Sequence, residues 1–189
     1  MTRRLAGSLI AAAVMLAVPA SANAGDVTLH PNGFGQHSYA AWKAKEGLAD
    51  SSGGKDQALY FQKDTATDVF AAGVASFNGI GGFAPAGPTL HLEFWVRDDS
   101  HCGAGAPRFN VTFQNMPTAF VGCAGMTPGA TQTAPNGHQY QQRSTEFPVP
   151  PGAAFGSLAI VFDEQGSAFL DDIRVDDMTW TSATDNGNG

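Results

Sequence analysis

Cysteine, tryptophan and positive charge are scarce in this 189-residue chain, which has two Cys, three Trp, and ten Lys and Arg against 17 Asp and Glu. The excess of negative charge disfavours nucleic acid and anionic lipid as partners, because both would be repelled. Known hydrolase signatures are missing as well: the sequence has neither the Gly-x-Ser-x-Gly elbow of serine hydrolases nor the His-Glu-x-x-His motif of zinc proteases. The five histidines show no metal-ligand spacing. Composition and motifs therefore identify no enzyme class.

A secretory signal peptide is predicted at residues 1–24. Arg3 and Arg4 precede the apolar stretch Leu5–Val18, which leads to the small-residue cleavage site Ala22-Asn23-Ala24. The apolar stretch is too short and too rich in small residues to span a bilayer stably, and no second one follows it. We therefore expect a secreted, extracellular protein that has no membrane span and is a monomer.

Glycine and proline are abundant, with 23 and 11 copies, and they separate short segments rich in β-branched and aromatic residues. This pattern is typical of sandwiches and barrels, in which short strands alternate with tight turns. We predict an all-β fold, an antiparallel jelly-roll β-sandwich over residues 25–181, followed by a flexible C-terminal tail at 182–189. The predicted strands are Val27–His30, Ala58–Lys63, Val69–Phe77, Thr89–Arg97, Arg108–Gln114, Ala119–Cys123, Tyr140–Phe147, Leu158–Asp163 and Ala168–Val175, with Met178–Thr181 as an extension of the last.

The segment Ser38–Glu46 is compatible with two structures. As a helix, it would be capped by Ser38 and ended by Gly47. As an edge strand, it would pack Trp42 on the core. The sequence favours neither structure over the other.

Side-chain alternation in Thr89–Arg97 predicts one core face and one wet face. The wet face carries His91, Glu93, Trp95 and Arg97, which we predict to bind a ligand. A sugar presents apolar C–H faces ringed by hydroxyls, so an exposed indole with nearby charged and imidazole groups suits it. The alternative is that Trp95 packs under a loop and the charged residues form an ordinary solvated face.

The last predicted strand places a carboxylate among core-facing residues, because Asp171 shares one face of the strand with Phe169, Ile173 and Val175. A buried carboxylate must be paired, hydrogen-bonded or bound to a metal. Hard oxygen ligands suit Ca²⁺, so we predict a structural Ca²⁺ site with Asp171, Asp172 and Asp26 as candidate ligands. The alternative is that Asp171 accepts backbone N–H bonds at a bulge while Asp172 is exposed.

Cys102 and Cys123 are the only cysteines, and an even number in an exported chain predicts a disulfide bond. A loop of this length would contribute about 3 kcal/mol by the chain-entropy model. A metal or catalytic thiol is the alternative.

Two resemblances extend these predictions. The segment Gly-Ser-Ala-Phe-Leu-Asp-Asp-Ile-Arg-Val at 166–175 resembles the last strand of galactose-binding-like and carbohydrate-binding-module jelly rolls, which implies that Asp171 helps to hold a structural Ca²⁺. Most of the mature chain also resembles a group of uncharacterised secreted bacterial proteins, chiefly actinobacterial, and this resemblance implies no activity. The segments that carry this second resemblance are Ala58–Lys63, His101–Asn110, Phe120–Cys123, Ala159–Glu164 and Leu170–Ile173.

Three functional hypotheses follow from the predicted architecture. The leading one is a non-catalytic module that binds a glycan or a cell-surface ligand on the predicted wet face. The second is a secreted, glycosidase-like hydrolase that pairs Glu93 with Asp163 or Glu164. The third is an envelope or matrix component without a small ligand.

Overall fold

The computed structural model describes residues 27–49, 55–185 and 187. The predicted signal peptide and Asp26 lie outside this part of the chain. Within it, the one helical segment is a 3₁₀ turn at Cys123–Gly125, and no helix has the length and apolarity needed to cross a bilayer. The strands are β1 Thr28–Phe34, β2 Ser38–Lys43, β3 Ala58–Lys63, β4 Ala72–Asn78, β5 Thr89–Arg97, β6 Arg108–Phe113, β7 Ala119–Gly122, β8 Thr127–Thr133, β9 Gln139–Pro148, β10 Phe155–Phe162, β11 Gly166–Val175 and β12 Met178–Trp180.

The strands form two antiparallel sheets. The five-stranded sheet has the order β1-β4-β10-β6-β7, and the seven-stranded sheet has the order β2-β3-β11-β5-β9-β8 with β12 paired to β11. Consecutive strands from β3 to β6 alternate between the two sheets, as do β9, β10 and β11. The antiparallel β-sandwich is therefore confirmed, while its assignment as a jelly roll stays a prediction.

The core lies between the two sheets and is built from their alternating apolar side chains. Leu92 and Phe94 of β5 are fully buried in this core, and the rings of Phe94 on β5 and Phe109 on β6 stack with centroids 5.6 Å apart. Burying one such side chain contributes about 1.5–3 kcal/mol, so the core is the main source of stability. The alternation predicted for β5 and β6 is confirmed.

Two edge strands were not fixed by the sequence: one segment could have been a helix or a strand, and one strand was not predicted at all. The segment at Ser38 is strand β2, with Ala40 facing the core and Trp42 packed against it, so the helix alternative is wrong. Strand β8 was not predicted, because it is exposed throughout and contains Pro128 and Gly129 in place of an apolar alternation. It forms by pairing with the edge of β9.

A bulge in β11 corrects the predicted face of Asp171. Asp172 has a φ of 44°, and the register with β5 shifts between Asp171 and Arg174. One extra residue reverses the alternation. Asp171 therefore lies on the outer face of the seven-stranded sheet with Phe169, whereas Ile173 lies in the core.

The predicted disulfide is confirmed. Cys102 and Cys123 are bonded, with their Cα atoms 5.3 Å apart, and join the β5–β6 loop to the 3₁₀ turn. The first residues of the predicted C-terminal tail make contacts with the end of the domain. The Asp185 carboxylate accepts hydrogen bonds from the backbone N–H groups of Thr181 and Ser182.

Candidate functional site

The predicted wet face of β5 points away from the core but is largely covered. Glu93, Trp95 and Arg97 are 4%, 9% and 8% exposed, and only His91 is half-buried. The prediction that this face is open is therefore wrong for three of its four residues. Side-chain alternation indicates only which way a residue points, and a loop from elsewhere in the chain decides whether solvent reaches it.

The cover is formed by residues 44–49, the first part of the connection between β2 and β3, which we call the cover loop; it lies over the outer face of the seven-stranded sheet. Leu48 of this loop packs with Trp95 and Tyr140 in a second apolar cluster. Tyr140 donates a hydrogen bond from its hydroxyl to the Glu46 carbonyl at 2.6 Å. Burial, together with the negative charge of Asp171, raises the pKa of Tyr140, so this hydroxyl remains a donor.

Asp171 holds the cover loop in place. Its Oδ2 accepts the Leu48 N–H at 2.6 Å, and its Oδ1 accepts the Asp172 N–H at 2.7 Å. The loop backbone lies so close that a Cβ on Gly47 would be 2.5 Å from Oδ2. This is the hydrogen-bonded bulge that the sequence left open as an alternative.

The predicted Ca²⁺ ligands do not form a donor set among the described residues. Both oxygens of Asp171 accept N–H groups, the carboxylate of Asp172 lies 3.5 Å from the Arg174 guanidinium, and Asp26 is outside the described part of the chain. Calcium binding stays a prediction. Elsewhere, ligand-capable atoms of Asp98, Asp99 and His138 lie within 4.8 Å of one another at the surface, although Asp99 is already bonded to Arg97.

Near the start of β5, His91 forms an ionic cluster with two glutamates. Its Nδ1 lies 2.8 Å from Glu146 Oε1, and its Nε2 lies 3.2 Å from Glu93 Oε2. Partial burial alone would lower the pKa of His91, but the hydrogen bonds with the two carboxylates outweigh it and raise the pKa. No hydrogen bond or ion pair among the described residues joins Glu93 to Asp163 or Glu164, the partners that the hydrolase hypothesis requires.

Beside the cover loop, three aromatic side chains form a row across neighbouring strands of the outer face. Tyr60 of β3 lies directly opposite Phe169 of β11, with ring centroids 4.5 Å apart, and Tyr39 of β2 lies diagonally from Tyr60 at 5.8 Å. The Arg97 guanidinium carbon, on β5, lies 3.5 Å from the Phe169 ring centroid. We call Tyr39, Tyr60 and Phe169 the aromatic row. Diagonal and direct cross-strand neighbours are close enough for large rings to touch, so strand pairing alone assembles it.

Polar groups border the aromatic row. Lys43 Nζ lies 5.7 Å from the ring centroids of both Tyr39 and Tyr60. The Tyr60 hydroxyl donates to Gln62 Oε1 at 3.1 Å, and Gln62 Nε2 donates to Asp64 Oδ1 at 2.6 Å. Burial raises the pKa of Tyr60, so the hydroxyl stays protonated. The surface thus combines ring faces with hydrogen-bond donors and acceptors.

Neither Tyr39 nor Tyr60 is a sequence-predicted site residue. Tyr39 falls in the segment that could have been a helix, and Phe169 was placed on the core face. All three rings occupy outward positions of their strands. That they form one group becomes evident only when the pairing of β2, β3 and β11 is known.

The sequence matches no protein-family model and no curated protein. Among solved structures, it is similar to the enzymatically active domain of tailspike protein 4 from bacteriophage CBA120. The identity is 16%, the TM-score is 0.45, and the match covers 81% of this chain and 19% of the tailspike chain. Similarity at this level supports no inference about fold or activity.

Proposed function

We propose that this protein is a secreted, non-catalytic module that binds a glycan or another cell-surface ligand through the aromatic row. The observation that carries the proposal is the contiguous set of rings on three adjacent strands, with Tyr39 39% exposed at its outer end. Trp95, the aromatic residue predicted for this role, is covered by the loop and is not part of the proposed surface.

The chemistry of the row suits a saccharide. A pyranose ring has apolar C–H faces that pack on aromatic rings, and its hydroxyls need hydrogen-bond partners at the ring edges. Lys43 and Gln62 supply such partners beside Tyr60. The row is built on strands of one sheet, so its rings are held at fixed spacings, and little ordering cost is paid on binding.

Glycan-array and polysaccharide pull-down measurements with the mature chain test the proposal. Tyr39→Ala and Tyr60→Ala are each expected to weaken binding about tenfold, equivalent to a loss of about 1.4 kcal/mol. Phe120→Ala is the matched control, because Phe120 is 64% exposed but lies on β7 in the other sheet. The control should bind like the wild type.

Two results would count against the proposal. If a glycan is retained equally by wild type and both tyrosine variants, the aromatic row is not the binding surface. If no glycan on the array is retained by the wild-type chain, glycan binding itself is rejected, and pull-down from intact cell surfaces then tests the remaining class of ligand.

A further inference from the structure

A cleft of about 310 Å³ opens on the inner face of the seven-stranded sheet, next to Cys102 of the disulfide. Arg143 and Gln141 of β9 line it, and they lie directly opposite two buried core residues of β5. Directly opposite residues of paired strands point to the same face of a sheet. The aromatic row lies on the outer face, so the cleft is a separate site, independent of the proposed function.

One end of the cleft carries an arginine that has no carboxylate partner among the described residues. Arg143 donates from Nη2 to Gln141 Oε1 at 2.8 Å, and its Nε is shielded from solvent without an acceptor. The other arginines in the described part of the chain each form an ion pair, in the pairs Arg97–Glu46, Arg108–Asp163 and Arg174–Asp172. The guanidinium of Arg143 is therefore available to an anionic group of a ligand.

The other end of the cleft carries a carboxylate without a cation. Asp98 follows β5, and its N–H extends the strand pairing by donating to the Gln139 carbonyl at 2.9 Å. Its exposed carboxylate forms no ion pair or hydrogen bond with another residue that the structure describes. The neighbouring carboxylate of Asp99 is already bonded to Arg97. Asp98 and Arg143 both line the cleft, which thus holds unpaired charges of opposite sign.

Side-chain amides lie between these two charges. Gln139, Gln141 and Arg143 are spaced two residues apart along β9 and point to the same face. At about 3.3 Å per residue, Arg143 is roughly 13 Å from the level of Gln139 and Asp98. The amide of Gln139 and Nε2 of Gln141 form no hydrogen bond with another described residue. Both are free to bond a ligand that extends from one charge to the other.

We infer that this cleft binds a free dipeptide or tripeptide, with its C-terminal carboxylate on Arg143 and its N-terminal ammonium on Asp98. A guanidinium presents parallel N–H donors that match the two oxygens of a carboxylate, and an ammonium donates to carboxylate oxygens. Two or three extended residues span about 7–10 Å, and a hydrogen bond adds about 2.8 Å at each end. Such a peptide bridges the two charges and places its amide groups beside Gln139 and Gln141.

The two charges decide the class of ligand. A simple anion would be attracted to Arg143 but repelled by Asp98, and a simple cation would meet the reverse. A peptide with free ends carries both charges and no net charge, so the acidic excess of the protein does not repel it. The charges of a single amino acid are only about one residue apart, which is too close to reach both groups.

NMR titration of the ¹⁵N-labelled mature chain with alanine peptides tests this inference. Dialanine or trialanine with free ends should shift the side-chain amide resonances of Gln139 and Gln141, because these groups lie beside the peptide backbone. The N-acetylated peptide lacks the ammonium, and the peptide amide lacks the carboxylate. Each blocked form is expected to bind about tenfold more weakly than the free peptide, since one charge-assisted contact is lost.

Two variants assign the ends of the peptide. Arg143→Gln should weaken binding of the free peptide about tenfold and leave the amide form unchanged, since that form has no carboxylate. Asp98→Asn should weaken the free peptide by a similar factor and leave the N-acetylated form unchanged. Arg174→Gln and Asp177→Asn are the matched controls, because they remove the same charges from exposed residues outside the cleft. Both controls should bind like the wild type, and melting temperatures verify folding.

Three results would overturn the inference. If neither dialanine nor trialanine shifts the amide resonances of the cleft at millimolar concentration, the cleft is not a peptide site. If the blocked forms bind as tightly as the free peptide, or if the preference for free ends survives both substitutions, the two charges do not hold the ligand. If only the amide form is weakened, the cleft is a plain anion site. None of these results bears on glycan binding by the aromatic row, which lies on the other face of the sheet.

Discussion

At the residue scale, Asp171 illustrates what a sequence can predict about a buried charge. The requirement for a partner could be predicted, because an unpaired carboxylate in a β-strand is too costly to bury. The partners could not, since they are the N–H of Asp172 at a bulge and the N–H of Leu48 in a loop 123 residues away. A bulge has no signature in the alternation until the register with β5 is known.

Replacing Asp171 tests its role in holding the cover loop. Asp171→Asn leaves an amide N–H₂ facing a backbone N–H, and we expect the free energy of unfolding to fall by about 2–3 kcal/mol. Asp172→Asn is the matched control and should cost less than about 1 kcal/mol, because Asp172 is half-buried and its ion pair with Arg174 is long. Urea denaturation of the three proteins gives these values.

Thermal unfolding of the wild type and Asp171→Asn, with and without chelator, tests the Ca²⁺ prediction. A wild-type melting temperature that falls with chelator, together with an Asp171→Asn variant that no longer responds, would support a cation at this carboxylate. If Asp171→Asn is as stable as the wild type in both conditions, then the two N–H bonds do not hold the cover loop.

At the element scale, the strands that could be predicted are those with one face buried in the core and one face outside it. In β5 and β6, apolar and polar residues alternate because one face packs on the opposite sheet, and this period of two is readable without pairing information. Strand β8 has no buried residue, so it leaves no such pattern. Strand β2 was ambiguous because Tyr39 and Trp42 could share a face of a helix, although in the strand they face opposite sides.

The candidate site was less predictable than the strands that build it. Its three rings come from β2, β3 and β11, whose neighbourhood depends on long-range pairing. Strand β5, which the sequence predicted to carry the binding surface, has Trp95 beneath the cover loop, in one apolar cluster with Leu48. Loop placement is a tertiary property, and short-range patterns do not encode it.

The cross-strand pair of His91 on β5 and Glu146 on β9 predicts a pH-dependent stability. The two residues are directly opposite, and their hydrogen bond lowers the pKa of Glu146 and helps to raise that of His91. A raised histidine pKa stabilises the fold fully below the unfolded value of about 6.5, and this contribution is lost as pH rises through the folded pKa. A lowered carboxyl pKa stabilises above about 4.3 and is lost as pH falls through the folded pKa.

The pair should therefore contribute most between about pH 4.5 and pH 6.5. His91→Gln is expected to lower the melting temperature more at about pH 5.5 than at about pH 8.5, where the wild-type imidazole is largely neutral. Glu146→Gln should reduce this difference, and a double-mutant cycle at both pH values isolates the pair from other titrating groups. An equal loss of melting temperature at the two pH values would mean that the charge on His91 does not contribute.

At the scale of the whole molecule, the two sheets are joined by more than the apolar core. Lys63, at the end of β3, is fully buried and points between the layers. Its Nζ donates to the carbonyl oxygens of Thr67, Val69 and Asp163 at 3.0, 2.7 and 2.7 Å. Asp163 follows β10 of the five-stranded sheet, so one ammonium group ties a loop and the end of the opposite layer to β3.

This arrangement makes Lys63 more important to stability than any exposed lysine. Lys63→Met keeps the length of the side chain but leaves three carbonyls without their donor, and we expect a loss of about 3 kcal/mol or more in the free energy of unfolding. Lys55→Met, at an exposed position before β3, should change stability by less than about 0.5 kcal/mol. Chemical denaturation measures both variants. A Lys63→Met protein as stable as the wild type would show that the three carbonyls find other donors, and the link between the layers would then rest on the apolar core alone.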